Sequence, residues 1–246
     1  MDWTSPIIKI YCLIKGLKVR SLTTDGELEE AFDLRNRVYQ EVYHFKPVEP
    51  TKEVIRPKGL AFYVGVYQKG KLVGCLRLMD ITQISPFVSF FYKNPNLDKP
   101  FNKTYEMAGL VVEPKLQSTD SHIFFILLYY AFQFTLKNGR QYWLASTWKS
   151  LYQYIKRMGG IAQFITDEVG FVDDGSPKAS FLKNYLENGN ANDYCCYYVT
   201  LPKKYDKVIL KKYFSKKKRQ LWKRWSNAFP TMKFRGTKGV TVIGKR

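Results

Sequence analysis

Between residues 24 and 45 apolar side chains return every three or four positions, at Leu28, Ala31, Phe32, Leu34, Val38 and Val42. After the polar start "TDGE" this spacing predicts an amphipathic helix. The period then changes. Residues 60–80 hold two apolar runs around Lys69-Gly70, the pattern of a β-hairpin. A polar, Pro-containing stretch leads to a strand at 105–113, and "SHIFFILLYYAFQFTL" predicts a helix over 121–137 that is apolar nearly all round and so buried. Asn138-Gly139 supplies its C-terminal stop. A strand at 142–147, a helix over 148–159 and a strand at 194–201 follow. At the other end "IIKIYCLI", interrupted by Lys9, is strand-like and lacks the plan of a signal peptide; "KVRSLTT" is a short strand.

This order predicts an α/β fold with a mixed sheet. Strand 105–113, the apolar helix and strand 142–147 form a parallel βαβ unit. Ligands of such sheets gather beyond the carboxyl ends of the parallel strands. The apolar helix is too short to span a bilayer.

Charge divides the chain in two. The net charge is +19, yet residues 202–246 hold 16 Lys+Arg and one acid, which leaves only +4 on 1–201. We therefore expect a body at 1–201 and a basic extension at 202–246. Within the extension Leu210, Phe214, Leu221, Trp225 and Phe229 lie near one helical face, ringed by Lys211, Lys212, Lys216, Lys217, Lys218, Arg219, Lys223 and Arg224, until Pro230 breaks the pattern. An acidic protein, an anionic membrane or nucleic acid would each suit this surface, and the charge run alone does not choose among them. The four cysteines show no metal-ligand spacing, so we expect no metal and reduced thiols in a cytoplasmic protein.

One residue in the body stands out. Glu106 opens the otherwise apolar "YEMAGLVVEP". Either it is a solvated acid at a strand start, or it faces a cleft and moves a proton.

Four segments in order, "RNRVYQEVYHF", "KLVGCLRLMD", "YEMAGLVVEP" and "SLYQYIKRMGG", resemble the GNAT acyltransferase superfamily. Within it, the chain is similar to acyl-homoserine-lactone (autoinducer) synthases and N-acyl amino acid synthases. The likeness covers about residues 25–165. It implies a GNAT-like, mostly antiparallel mixed sheet flanked by helices, followed by the basic amphipathic helix. The Arg-x-x-Val-aromatic element falls on Arg35, Val38 and Tyr39, with Phe45 as the second aromatic. The Arg-Leu pair is Arg77-Leu78, and the glutamate of Glu-x-Ser-Arg is Glu106. Where the family has Ser-Arg this chain has Ala108-Gly109, and "KPVEPTKEVIRP" offers no match to the family's acidic pair. Both differences favour an amino acid or similar small amine over a homoserine-lactone-type acceptor. "QSTDSH" (117–122) lacks the glycines of the usual phosphate loop.

The resemblance implies an N-acyltransferase that takes a fatty acyl group from acyl carrier protein or from acyl-CoA. Glu106 would be its base. Arg35 and Arg77 would hold the acceptor carboxylate or the donor's phosphopantetheine. The strand Ala108, Gly109, Leu110, Val111 and Val112 would supply backbone donors, with a bulge at Gly109. Tyr39, Phe45, Ser146 and Thr147 would line the cleft. Acyl carrier protein is the partner this implies for the basic extension; the membrane comes second and nucleic acid last. Two alternatives remain open: a non-enzymatic GNAT scaffold that binds membrane or nucleic acid through its basic end, and an acetyl-CoA-dependent acetyltransferase.

Overall fold

The computed structural model describes residues 4–43, 60–117, 122–157, 161–170 and 193–201. Phe45, the 118–121 part of the loop before the apolar helix, and the whole basic extension lie outside the described residues.

A seven-stranded sheet runs β1 (Leu17–Leu22), β2 (Ala61–Gln68), β3 (Lys71–Asp80), β4 (Thr104–Val112), β5 (Tyr142–Trp148), β7 (Tyr194–Thr200), β6 (Ile161–Thr166). Every pairing is antiparallel except β4 with β5, the parallel unit expected from the sequence. Between β2 and β3, Lys69 and Gly70 both have positive φ (51° and 81°), as the tight two-residue hairpin turn requires.

The helices are α1 (Thr4–Ile14), α2 (Asp25–Tyr43), α3 (Val88–Phe91), α4 (Pro114–Gln117), α5 (His122–Lys137) and α6 (Lys149–Arg157). A reciprocal cap starts α2. Thr24 Oγ1 accepts from Glu27 N–H (3.3 Å), while Glu27 Oε2 accepts from the N–H groups of Thr23 (2.9 Å) and Thr24 (3.1 Å). Its stripe of Leu28, Ala31, Phe32, Leu34 and Val38 packs with Tyr67, Leu72, Cys75 and Val111 of the sheet. Val42, expected on that stripe, is exposed.

Helix α5 covers the opposite face. Successive strand residues alternate sides: Cys75 joins the α2 core, while a Cβ on Gly74 would meet Ile123 and Leu127 of α5. Thr135 Oγ1 donates to Ala131 O (2.7 Å) and accepts from Trp143 Nε1 (2.8 Å), which ties α5 to β5. The helix ends as Asn138-Gly139 predicts: Gly139 has φ 67°, its N–H bonds Leu136 O, and Arg140 N–H bonds Thr135 O.

One expectation is overturned. The "IIKIYCLI" segment is not a strand but the helix α1. Ile8 and Cys12, one helical turn apart, are its buried contacts, and Tyr11 packs edge-on against His122 at the start of α5 (ring centroids 4.9 Å apart). Strand β6 and helix α3 had no counterpart in the sequence reading. No described helix is long and apolar enough to cross a membrane.

Candidate active site

Parallel strands β4 and β5 keep register from Thr104↔Tyr142 to Met107↔Ala145, and there the ladder stops. Both strands continue, β4 to Val112 and β5 to Trp148, so the sheet forks after Met107 and Ala145. Burial follows the fork. Thr104 to Met107 are buried, whereas Ala108, Gly109 and Leu110 are partly open.

Glu106 sits at the base of the fork, 4% exposed, between Met79 of β3 and Leu144 of β5. Its carboxylate accepts from the backbone N–H of Phe87 (2.8 Å to Oε2) and of Val88 (3.0 Å to Oε1). It therefore caps the one-turn helix α3, whose own N-cap residue, Phe87, provides no side-chain cap. Of the two sequence readings, the solvated strand-start acid is excluded: Glu106 is buried and hydrogen-bonded. Each carboxylate oxygen has two lone pairs, so these two bonds do not by themselves use up the group.

On the β4 side of the fork lies a bulge. Cys75 pairs with Val111 and Arg77 with Ala108, so Gly109 and Leu110 together oppose Leu76. Gly109 has φ 59°, the left-handed conformation of a glycine bulge. A methyl placed on it would stand 3.7 Å from Arg35 Cδ, 4.0 Å from Arg35 Nη1 and 3.9 Å from Arg77 Cβ. The bulge and the two arginines thus form one cluster. Arg35 projects from the buried stripe of α2 and is 8% exposed, its guanidinium 4.8 Å from the Phe32 ring centroid and 5.9 Å from that of Tyr39. Burial, and then the charge of Arg77, lower its pKa. Arg77 donates to Tyr63 Oη (3.5 Å) and lies over the Tyr63 ring (6.0 Å). Beneath them the Cys75 thiol, its pKa pushed up to about 12 by burial, points at Ala31 O (3.7 Å).

On the β5 side, Ser146 Oγ shares a 2.9 Å hydrogen bond with Tyr92 Oη. Tyr92 is fixed by Val88 O, which accepts its N–H, and by a bridge to Val169. Around that bridge Lys93 N–H bonds Glu168 O and Gly170 N–H bonds Phe91 O. The chains cross so closely that a Cβ on Gly170 would lie 2.5 Å from Lys93 Cβ and 2.9 Å from its Cα. Below stands a cluster of Met79, Val88, Phe91, Leu144, Tyr194, Cys196 and others, with Trp148 and Phe87 against it.

Glu106, Arg35, Arg77, Tyr39, Gly109 and Ser146 therefore belong to one side of the sheet. Thr147 turns to the other side, where its hydroxyl meets Tyr197 Oη (3.0 Å). The side chains of Val111 and Val112 are buried, and both residues are back in register with β3. Tyr63, Tyr92 and the Phe87–Val88 amides were missed. For Tyr63 the turn was a misleading guide: counting back from Lys69-Gly70 pairs it with Leu76, and only the bulge after Val66 moves it opposite Arg77. Among the described residues no group of three His, Cys, Asp or Glu is placed to hold a metal ion.

Solved structures share the fold. The AHL synthase LasI superposes with a TM-score of 0.56 at 13% identity, over 76% of this chain and 90% of that one. The chain therefore shares the fold of that synthase. TofI in its apo form superposes with a TM-score of 0.51 at 14% identity, over 75% of this chain and 90% of that one. FeeM, an N-acyl amino acid synthase from uncultured soil microbes, gives a TM-score of 0.48 at 12% identity, over 76% of this chain and 91% of that one. No family model and no curated protein sequence matches the chain. The resemblance to acyl-homoserine-lactone synthases expected from the four sequence segments holds at the level of fold.

Proposed function

We propose that the protein is an N-acyltransferase that moves a fatty acyl group from a thioester donor, acyl carrier protein or acyl-CoA, to the amine of an amino acid or similar small acceptor. The observation that carries this reading is the fork: a buried carboxylate at its base, and two arginines about a glycine bulge on one wall. An ammonium acceptor must lose a proton before its nitrogen can attack a thioester carbonyl. Glu106 takes that proton, directly or through a water. The nitrogen bonds the carbonyl carbon, the C–S bond breaks, and the departing thiolate takes up a proton. Backbone N–H groups near Gly109 and Leu110, where the bulge leaves the β3 register, meet the oxyanion. Arg35 and Arg77 hold the acceptor's carboxylate, for which a guanidinium pair is well matched. The Lys and Arg residues of the extension, Lys211 to Arg224, serve the acidic carrier protein, and secondarily an anionic membrane, in the cytoplasm.

The test is mass spectrometry of lipid extracts from cells that express the protein, beside a Glu106→Gln control. The expected result is a new N-acyl amine with the intact protein alone. Purified protein that shows no amine-dependent thiol release across a panel of amino acids would sink the reading. Glu106→Gln also turns an NH2 toward one of the amides it now accepts from, at about 1–3 kcal/mol, so its folding must be checked beside its turnover.

A second reading has its own support. The bonds from Phe87 and Val88 give Glu106 a structural purpose, as a non-catalytic scaffold would need. A folded Glu106→Gln variant with undiminished turnover would confine Glu106 to that purpose.

A further inference from the structure

Helix α1 is apolar on two opposite sides. Ile8 and Cys12 face the body, 4% and 7% exposed. On the far side Ile10 is 49% exposed, Leu13 80% and Ile14 45%. Positions 10, 13 and 14 are spaced as i, i+3 and i+4 and so form one continuous stripe. A helix that is apolar all round is ordinarily buried, yet this stripe faces water. Its rim is basic. Lys9 and Lys15 are both exposed, and residues 4–15 contain no Asp or Glu.

We propose that this outer face of α1 is a docking surface for an anionic lipid bilayer. The stripe would lie in the acyl boundary of the leaflet, with the lysines at headgroup level. That is how an interfacial helix combines apolar burial with attraction to acidic lipids. Lipid fits the stripe better than a protein partner does: it offers three aliphatic side chains and no aromatic anchor, whereas the cores of protein interfaces are enriched in Tyr, Trp, Phe, Met and Arg. The inference does not depend on the acyltransfer reading.

The experiment exploits the cysteines. All four native thiols are buried, so in a Leu13→Cys variant of the full chain a bimane probe reacts at position 13. The labelled protein is mixed with vesicles of phosphatidylglycerol and phosphatidylcholine, or of phosphatidylcholine alone. The expected result is a blue shift of bimane emission and quenching by brominated lipid, on the anionic vesicles only. In cosedimentation, Leu13→Glu is expected to weaken binding about tenfold or more without a change in circular dichroism.

Vesicle binding with an unshifted probe would overturn the proposal and place the contact elsewhere, for example on the basic extension. An equal shift on phosphatidylcholine alone would overturn the requirement for anionic lipid. A shift that grows with protein concentration in the absence of lipid would assign the stripe to a second copy of the chain and also overturn it. No binding to either vesicle would do the same.

Discussion

Arg140 and Arg35 are both turned into the fold, and different groups stand around the two guanidinium ions. Arg140 is met by acceptors. Its Nη2 pairs with Asp80 Oδ2, its Nη1 donates to Phe101 O (2.8 Å) and Thr104 O (3.0 Å), and its guanidinium lies 4.6 Å from the Tyr105 ring centroid. Asp80 in turn accepts from Thr82 N–H (3.0 Å) and Thr82 Oγ1 (2.7 Å). Arg35 lies among aromatic rings with the charge of Arg77 close enough to lower its pKa. Like charges set together at a buried site oppose folding. Arg140 is thus placed to hold the structure, while Arg35 and Arg77 stand side by side at the Gly109 bulge.

That contrast can be broken by experiment. The largest effect is expected from Arg140→Ala, which strands the Asp80 carboxylate and two carbonyls and should lower the unfolding free energy by about 3 kcal/mol in urea titration. A loss below about 1 kcal/mol would reduce the pair to an ordinary surface contact. Arg35→Met keeps the buried stem and removes the charge. It should cost less stability than Arg140→Ala, while KM for the amino acid acceptor rises about ten- to a hundredfold. A destabilisation as large as that of Arg140→Ala would end the distinction between the two arginines.

Gly109→Ala sharpens the comparison, because there is room for the methyl and only the backbone conformation resists it. About 1–2 kcal/mol should be lost, together with turnover. An unstrained, more stable variant would mean that the bulge had rearranged. The smallest effect belongs to Arg37, two residues from Arg35 but half exposed and paired with Glu113 at 2.7 Å. Arg37→Ala should cost about 0.5 kcal/mol and leave acceptor KM alone.

What the sequence disclosed was whatever has a short period or a local signal. The stripe of α2, the Lys69-Gly70 turn, the Gly139 stop and the parallel unit all carry their cause within a few residues, and Gly109 was legible as a bulge because only glycine takes that φ easily. Helix α1 was misread because its outer face is apolar as well, which erases the helical period and leaves a run of isoleucines that looks like a strand. Helix α3 was invisible because its cap is Glu106, far along the chain. Strand β6 is short and carries exposed Ile161 and Phe164, with no alternation to mark it. In the site, the arginines and the glutamate were found by motif. Their companions Tyr63 and Tyr92 come from register and from a long-range bridge, which no local pattern encodes.

The crossing at Gly170 bears on motion. Lys93 and Gly170 touch backbone to backbone, with amide bonds on either side of the contact. To part, the two passages of chain must give up both amide bonds and the contact between them. In native-state hydrogen exchange the amides of Phe87, Val88, Tyr92, Lys93 and Gly170 should therefore open as one cooperative unit with a single free energy. That unit would include both donors to Glu106, so the wall of the fork and the carboxylate at its base would breathe together.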